Sequence, residues 1–504
     1  MPGTKGDPLD TITAYKSHLT EIAKLGSALS LLGWDQHTHM PKKGVAFRSQ
    51  VIGKLTKMRF ELSVSDELGS AIDELEGRDD LSDLERGSVR RVGKDFRRQK
   101  AVPPEFVEEF AVARSNAQAA WAKAREASNF GDFEPHLEKM VGFARRLAEY
   151  YGYDDHPYDA LLEGFEPGMT CAELRRIIEP LREQLVPFLA RLMKEGTRPD
   201  ASALEGTFEL ETQRRLARRA LETIGYDFDA GALDDVAHPF TTTIGPGDVR
   251  VTNRYADLHL GPGFFAALHE GGHALYNQGM GDDLFALGLA NGSSNGIHES
   301  QSRMIENQVG RSLPFWTFFQ PILAEHFPQF AQVRPETLHG AANIVEPSLI
   351  RVEADEVTYN FHIMLRFEIE AGLIDGSIAV SDLPRLWNDG MERYLGVTPP
   401  NDALGVLQDV HWSMGAFGYF PSYMLGNLYA AQMLTTLRKD VPNLDELIRS
   451  GEFGRLLSWL RKNVHQHGAA YEPKELIERI TGDPFDASHF VRYVTEKYSR
   501  IYRL

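Results

Sequence analysis

Cysteine is nearly absent: among 504 residues only Cys171 carries a thiol. One cysteine closes no internal disulfide, so the fold must stand on packing or another staple, and a reducing compartment is the simplest setting. Positive charge is also scarce. Lys and Arg number 54 against 72 Asp and Glu, a formal net charge of −18. That balance argues against a sequence-independent nucleic-acid binder and disfavours an anionic membrane surface. No run of about 18 apolar residues occurs, so no membrane span is expected. The opening MPGTKGDPLDTITAYKSHLTEIAKLG has neither a basic stretch before an apolar core nor a small-residue cleavage site, so no secretory signal is expected. Repeats, low-complexity tracts and long Ser/Gly or Pro-rich linkers are missing too. The expectation is a cytoplasmic protein with no nucleic-acid and no membrane partner.

What is present belongs to a folded chain: 42% of residues are hydrophobic and 25% charged, far from the composition of a disordered one. Tyr15, Leu19, Ile22, Leu25, Leu29 and Leu32 recur at helical spacing after Asp7-Pro8, which supplies an N-cap and a first-turn proline. Similar patterns cover about 44–75, 81–99, 104–128, 134–151 and 171–195, with Pro103-Pro104 and Asp132 as start signals. The charge-rich 81–99 reads as a solvated helix face. Helical patterns return at 263–279, 349–373 and 420–438 and run almost to Leu504. Between His238 and Leu260, threonines, an alternating Arg250-Val251-Thr252-Asn253 and a Gly245-Pro246-Gly247 turn predict a hairpin or short antiparallel sheet. The fold class expected is mainly α, residues 1–504 forming one helical domain with a small inserted sheet, with two lobes around a cleft as a variant.

The sharpest motif is His269-Glu270-Gly271-Gly272-His273, which fits H-E-x-x-H. Helical residues four apart are separated by about 400°, so both imidazoles project from one face towards one ion. Glu270, about 100° round, can act on metal-bound water without entering the coordination shell. Gly271 and Gly272 each cost about 1 kcal/mol in a helix, which close approach of another backbone would offset. Tyr276 and Gly279 stand where an extended motif would need Gly and His, so the third ligand lies elsewhere. Glu299, 26 residues after His273, is the leading candidate, with Glu306, Asp282 and Asp283 as competitors. Two histidines and a glutamate suit Zn²⁺, accept Co²⁺ as well, and imply metal-assisted amide hydrolysis with Glu270 as general base.

Beyond this motif the sequence resembles the Taq-type family of zinc metallocarboxypeptidases. The resemblance is carried by HPF (His238–Phe240), DVRVT (Asp248–Thr252), HEGGH, GIHESQSR (Gly296–Arg303), IRVEAD (Ile350–Asp355) and GVLQDVHW (Gly405–Trp412), in that order. LLGWDQHTHMP and GYFPSYMLGNLYAAQ extend it over nearly the whole chain. It implies a helical body with a deep central groove and a small sheet, related to the angiotensin-converting-enzyme and neurolysin type. It also implies release of single residues from free peptide C-termini, one metal ion per chain on His269, His273 and Glu299, Glu270 as the base, and a homodimer.

The reaction asks for further groups. A free carboxylate is best met by an arginine fork, for which Arg351 is preferred and Arg250 second; Arg303 could instead brace Glu299 by a salt bridge. The developing oxyanion needs a donor, and resemblance to related groove enzymes points to Tyr423 first and His411 second, with Tyr419 lining the pocket. His238 is a candidate contact for substrate backbone, and the hairpin edge could pair with an extended peptide. His37 and His39, two apart beside Pro41, read as structural. Glu353 and Asp355 are candidates to orient a ligand histidine. A groove-type oligopeptidase or dipeptidyl carboxypeptidase, and a non-catalytic helical scaffold stapled by metal, are the alternatives.

Overall fold

The computed structural model describes residues 8–504; Asp7, the expected N-cap, lies outside them. Helices α1 (Pro8–Thr38), α2 (Val45–Ser63), α3 (Asp66–Glu76), α4 (Asp83–Ala101) and α5 (Pro104–Ala127) open the chain. They are followed by α6 (Glu134–Tyr151), α7 (Pro157–Leu162), α8 (Cys171–Glu195) and α9 (Leu210–Ile224). Local chemistry sets these limits. Ser82 with Glu85 and Thr170 with Glu173 form reciprocal capping boxes at α4 and α8, and Pro104 sits in the first turn of α5. The pattern over 44–75 is two helices, because the Ser65 hydroxyl accepts the N–H of Leu68 and restarts the chain. Asp132 closes a short 3₁₀ turn ahead of α6.

Three strands interrupt the helices: β1 (Leu233–Asp235), β2 (Thr241–Gly245) and β3 (Asp248–Asn253). β2 and β3 make the expected hairpin, with Thr241 opposite Val251 and Gly247 at φ +71° in the turn. The third strand departs from expectation: β1 precedes the predicted segment and pairs parallel to β3, giving the order β1-β3-β2. Buried Val249, Val251, Thr252 and Asn253 put β3 in the middle, and β2 is left at the edge.

The second half contains α10 (Gly261–Gln278), α11 (Asp282–Ala286), α12 (Asn295–Arg303), α13 (Leu313–His326), α14 (Pro335–Ala341), α15 (Tyr359–Asp375) and α16 (Leu383–Leu395). Then come α17 (Pro421–Asp440), α18 (Leu444–Ser450), α19 (Gly454–Asn463), α20 (Pro473–Thr481) and α21 (Ser488–Tyr502). The helix expected over 349–373 starts late. Arg351–Glu353 is a 3₁₀ turn, and the Asp355 carboxylate takes the N–H groups of Val357 and Thr358 before α15 can begin.

The elements around the motif are held unusually close. α12 lies between α10 and α17, and a Cβ on Gly272 would stand 2.6 Å from the Gln301 carbonyl oxygen, one on Gly426 2.6 Å from the Glu299 Cβ. Glycine in the motif therefore repays its helical cost by letting two backbones touch. Past Arg303 the helix widens into a π-helical stretch, Met304–Gly310, that carries Glu306. A large apolar core joins most helices from α5 onward. A smaller cluster, with Tyr15, Leu19, Leu68 and Ile72 among its members, unites α1 and α3. Among the described residues no helix is long and apolar enough to cross a membrane.

Candidate metal centre

His269 and His273 stand one turn apart on α10 with ring centroids 4.9 Å apart. Glu299 of α12 brings Oε2 to 3.6 Å from Nε2 of His269 and 3.5 Å from Nε2 of His273. Those separations are long for hydrogen bonds. They suit ligands of one ion, since atoms 2.0–2.1 Å from a tetrahedral Zn²⁺ are roughly 3.3 Å from each other.

The outer nitrogens are occupied in a way that frees the inner ones. Nδ1 of His269 meets Oε2 of Glu306 at 2.9 Å; a carboxylate only accepts, so the proton sits on Nδ1 and the Nε2 lone pair faces the centre. His273 Nδ1 meets His298 Nδ1 at 2.6 Å, and His298 Nε2 meets Asn277 Oδ1 at 3.0 Å. The amide oxygen fixes the proton of His298 on Nε2, so His298 Nδ1 accepts from His273 and again leaves Nε2 free. Burial, reinforced by His273, pushes His298 down to about 3 and keeps it neutral. Glu299 is buried, which disfavours its charge, but Arg303, His269 and His273 hold it well below the usual carboxylate range. The Nε group of Arg303 donates to Glu299 Oε1 at 2.7 Å, the brace considered above. Burial also opposes the charge of Glu306, and His269, Arg311 and Arg303 hold it low. Two imidazole nitrogens and a carboxylate oxygen thus converge with the tautomers a divalent ion needs.

Glu306 lies behind His269, outside the convergent set, and Asp282 and Asp283 are exposed on α11 and stand apart from it. Glu353 is exposed, and Asp355 is spent on its own turn and the Glu346 N–H. Neither orients a ligand histidine; Glu306 and His298 hold those positions. Among the described residues one other group, His156, Asp159 and Cys171, has metal-ligand spacing. There Nδ1 of His156 accepts the Tyr158 N–H, so Nε2 bears the proton that it offers Asp375. Neither ring nitrogen has a lone pair to spare. His37 packs on Phe240 and His39 on Trp34 and Asp234, and among the described residues neither belongs to a group with metal-ligand spacing.

Glu270 is buried, and the Thr241 hydroxyl lies 2.7 Å from its Oε2 and 2.9 Å from its carbonyl oxygen. A cavity of about 360 Å³ is lined by His269, Glu270, His273, Glu299, Tyr419 and Tyr423. It shares lining residues with a cavity of about 400 Å³ along β2, and that one with a third of about 710 Å³ beside α1. Burial lifts Tyr423 well above the ordinary phenol value, so its proton stays on.

Arg351 sits one layer behind, its guanidinium carbon 4.8 Å from the Tyr423 ring centroid. It donates to Asp409 through Nε and Nη2 and to the Tyr359 hydroxyl through Nη1. His411 is 3.8 Å from Asp409 and 6.4 Å, ring to ring, from Tyr423; burial pushes it down to about 4. Arg250 is not brought to the cavity: it is bound bidentately to Asp248 and covers Trp34. His238 is exposed in the bend before β2, while its neighbours Pro239 and Phe240 line the cavity. Sequence reasoning missed Thr241, His298, Asn277, Asp409 and Arg366. His298 is adjacent to Glu299 in sequence, yet nothing in the sequence tells which way its ring turns.

Two imidazoles and a carboxylate around one point, with a second carboxylate beside them, are the side-chain set of a metal-dependent hydrolase. The chain belongs to the Carboxypeptidase Taq (M32) metallopeptidase family, whose model matches residues 14–498, and it is a metallocarboxypeptidase. It is 41% identical over 488 residues to carboxypeptidase 1 of Bacillus subtilis (strain 168), covering 96% of this chain and 97% of that protein. It is 40% identical over 491 residues to thermostable carboxypeptidase 1 of Pyrococcus furiosus, covering 97% and 98%. A solved structure of the M32 carboxypeptidase from Deinococcus radiodurans R1 superposes with TM-score 0.95 at 36% identity, over 98% of this chain and all of that one. The helical fold with a small sheet is thus that of the family.

Proposed function

We propose that this metallocarboxypeptidase releases single residues from the free C-termini of peptides, with broad preference at the cleaved position. Zn²⁺ is the native ion in this reading, held by His269, His273 and Glu299; the same donors accept Co²⁺. The observation that carries it is a protonated Tyr423 and a cationic Arg351 stacked behind one another beside the convergent ligands.

When bound, the ion supplies Lewis acidity and brings the pKa of a coordinated water towards 7. Glu270, held by Thr241, takes a proton from the attacking water and delivers it to the leaving amine. Tyr423 donates to the developing oxyanion, with His411 behind it and Tyr419 shaping the wall. Arg351 uses three of its hydrogen-bond donors within the protein, and a guanidinium has five; the remaining two serve the substrate carboxylate. The free edge of β2 gives an extended peptide main-chain partners, which suits broad specificity. Arg250, paired with Asp248, and the exposed His238 stand outside the cavity lining and are given no binding role in this reading. The lone buried thiol of Cys171 suits a cytoplasmic setting, and a homodimer of single-domain chains is the assembly the resemblance implies.

Glu270→Gln tests the mechanism. It should bind one equivalent of metal and lose roughly 10²- to 10⁴-fold in rate; full hydrolytic activity in the metal-loaded variant would refute the role of Glu270.

A further inference from the structure

We propose that Arg366, a fully buried residue of α15, sets the preference for a free C-terminal carboxylate by preventing Asp409 from neutralising Arg351. This rests on Arg351 being the carboxylate anchor.

Asp409 is shared. Its Oδ1 accepts from Nε and Nη2 of Arg351 at 3.1 and 2.9 Å, and its Oδ2 accepts from Nε and Nη2 of Arg366 at 2.7 and 2.5 Å. Gln408 Oε1, the other acceptor in common, takes the backbone N–H of Arg351 and Nη2 of Arg366 and carries no charge. Of the neighbouring titratable groups, Glu370, one turn on from Arg366 in α15, is the one that can add an anion; burial outweighs its donors Tyr158, Trp412 and Gly418 and pushes it up to about 7, so below that pH it is largely protonated. His362 is completely buried, and both its ring nitrogens lack a hydrogen-bond partner among the described residues. Burial and the two arginines hold it neutral. His411 is neutral for the same reasons, and burial keeps the proton on Tyr423. With Glu370 protonated, two guanidiniums against one carboxylate leave one net positive charge.

That charge is housed deliberately by its surroundings. The guanidinium carbons lie 5.6 and 5.3 Å from the Phe420 ring centroid, and Arg366 also covers Trp387 at 4.5 Å, where aromatic faces favour cations. A lone Arg351–Asp409 pair would be nearly neutral and would attract an incoming anion weakly. With Arg366 drawing on the second oxygen, Arg351 stays cationic, and a carboxylate entering past Tyr423 completes the count. An unpaired buried charge is costly, so substrate binding relieves an imbalance stored in the fold. Arg366 contacts no substrate and is a positioning residue.

The test is steady-state hydrolysis of a free-acid peptide and its C-terminal amide, together with inhibition by a free amino acid product. Arg366→Met should raise KM for the free acid roughly tenfold or more, change kcat less, and shrink the ratio of kcat/KM between acid and amide. Arg366→Lys, which keeps the charge, should restore most of that ratio. Asp409→Asn should act in the opposite sense and tighten inhibition by the free amino acid, which keeps the test decisive if Arg366→Met does not fold. Equal losses on both peptides in the Arg366 variants, or weaker product inhibition in Asp409→Asn, overturn the inference. Arg351→Met separates the two levels. If it alone abolishes the acid preference, the anchor stands and Arg366 does not matter; if it leaves the preference intact, the anchor itself is wrong.

Discussion

His298 Nδ1 accepts a hydrogen bond from Nδ1–H of His273 across 2.6 Å, and its own Nε2–H donates to Asn277 Oδ1 at 3.0 Å. The other ligand histidine leans on a carboxylate, Glu306, at 2.9 Å. The two imidazoles therefore have unequal supports, one neutral and one charged, and the neutral one has no second partner to replace it. His298→Ala should weaken metal affinity by roughly 10- to 100-fold, the usual effect of losing an outer partner of a ligand histidine. His298→Gln, which offers an amide oxygen from the same backbone position, should recover part of it. Chelator competition followed by elemental analysis measures both, and unchanged affinity in His298→Ala would contradict the role.

Gly271 and Gly272 differ although they are neighbours. A Cβ on Gly272 meets backbone of Gln301 and Ser302 at 2.6 Å, whereas one on Gly271 meets only the side-chain tips of Leu221 and Ile224 at 2.6 and 2.8 Å. Side-chain tips rotate and a packed helix backbone does not. Gly272→Ala should cost about 3 kcal/mol or more by overpacking and push α12, with Glu299, away from the histidines. In Gly271→Ala the gain in helix propensity, about 1 kcal/mol, offsets part of a smaller strain. Thermal unfolding and metal content of the two variants check this; equal effects would contradict it.

Glu370 gives a pH signature away from the metal. It is fully buried and accepts from the Tyr158 hydroxyl, the Trp412 indole and the Gly418 N–H, tying the segment that carries His411 and Tyr419 to α15. Burial outweighs those donors and pushes it up from 4.5 to about 7. A raised folded-state pKa means the folded protein holds the proton more tightly. Its contribution is then complete below pH 4.5 and lost as pH rises through 7. Glu370→Gln cannot titrate. The stability of the wild type relative to this variant should fall by an amount on the order of 2–3 kcal/mol across that window. Urea unfolding at a series of pH values measures it, and a constant difference would contradict the shift.

The helices around Leu19, Val89 and Leu185 were legible because burial on one face imposes a 3.6-residue period, and His269 with His273 because one turn places both rings together. Glu299 could be narrowed to a few carboxylates by chain distance and singled out by family resemblance. Other features depend on groups distant in sequence. Leu233–Asp235 carries too few residues to signal a strand, and it exists because β3 presents an unpaired edge. Arg351 leaves its expected helix because Asp355 competes for backbone N–H groups. The pairing of Arg351 with Arg366 through Asp409 joins three positions across 58 residues, and no periodicity reports that. The orientation of His298 is set by Asn277 and His273 on a facing helix, which only the packed structure reveals.

The most direct test of the central claim is mass spectrometry of a peptide digested as free acid and as amide by metal-loaded protein, with a chelated control. The expected result is a ladder of single-residue losses from the C-terminus of the free acid, a largely intact amide, and no products after chelation. Cleavage of the amide as fast as the acid, or a ladder of two-residue steps, would contradict a carboxypeptidase that reads the terminal carboxylate.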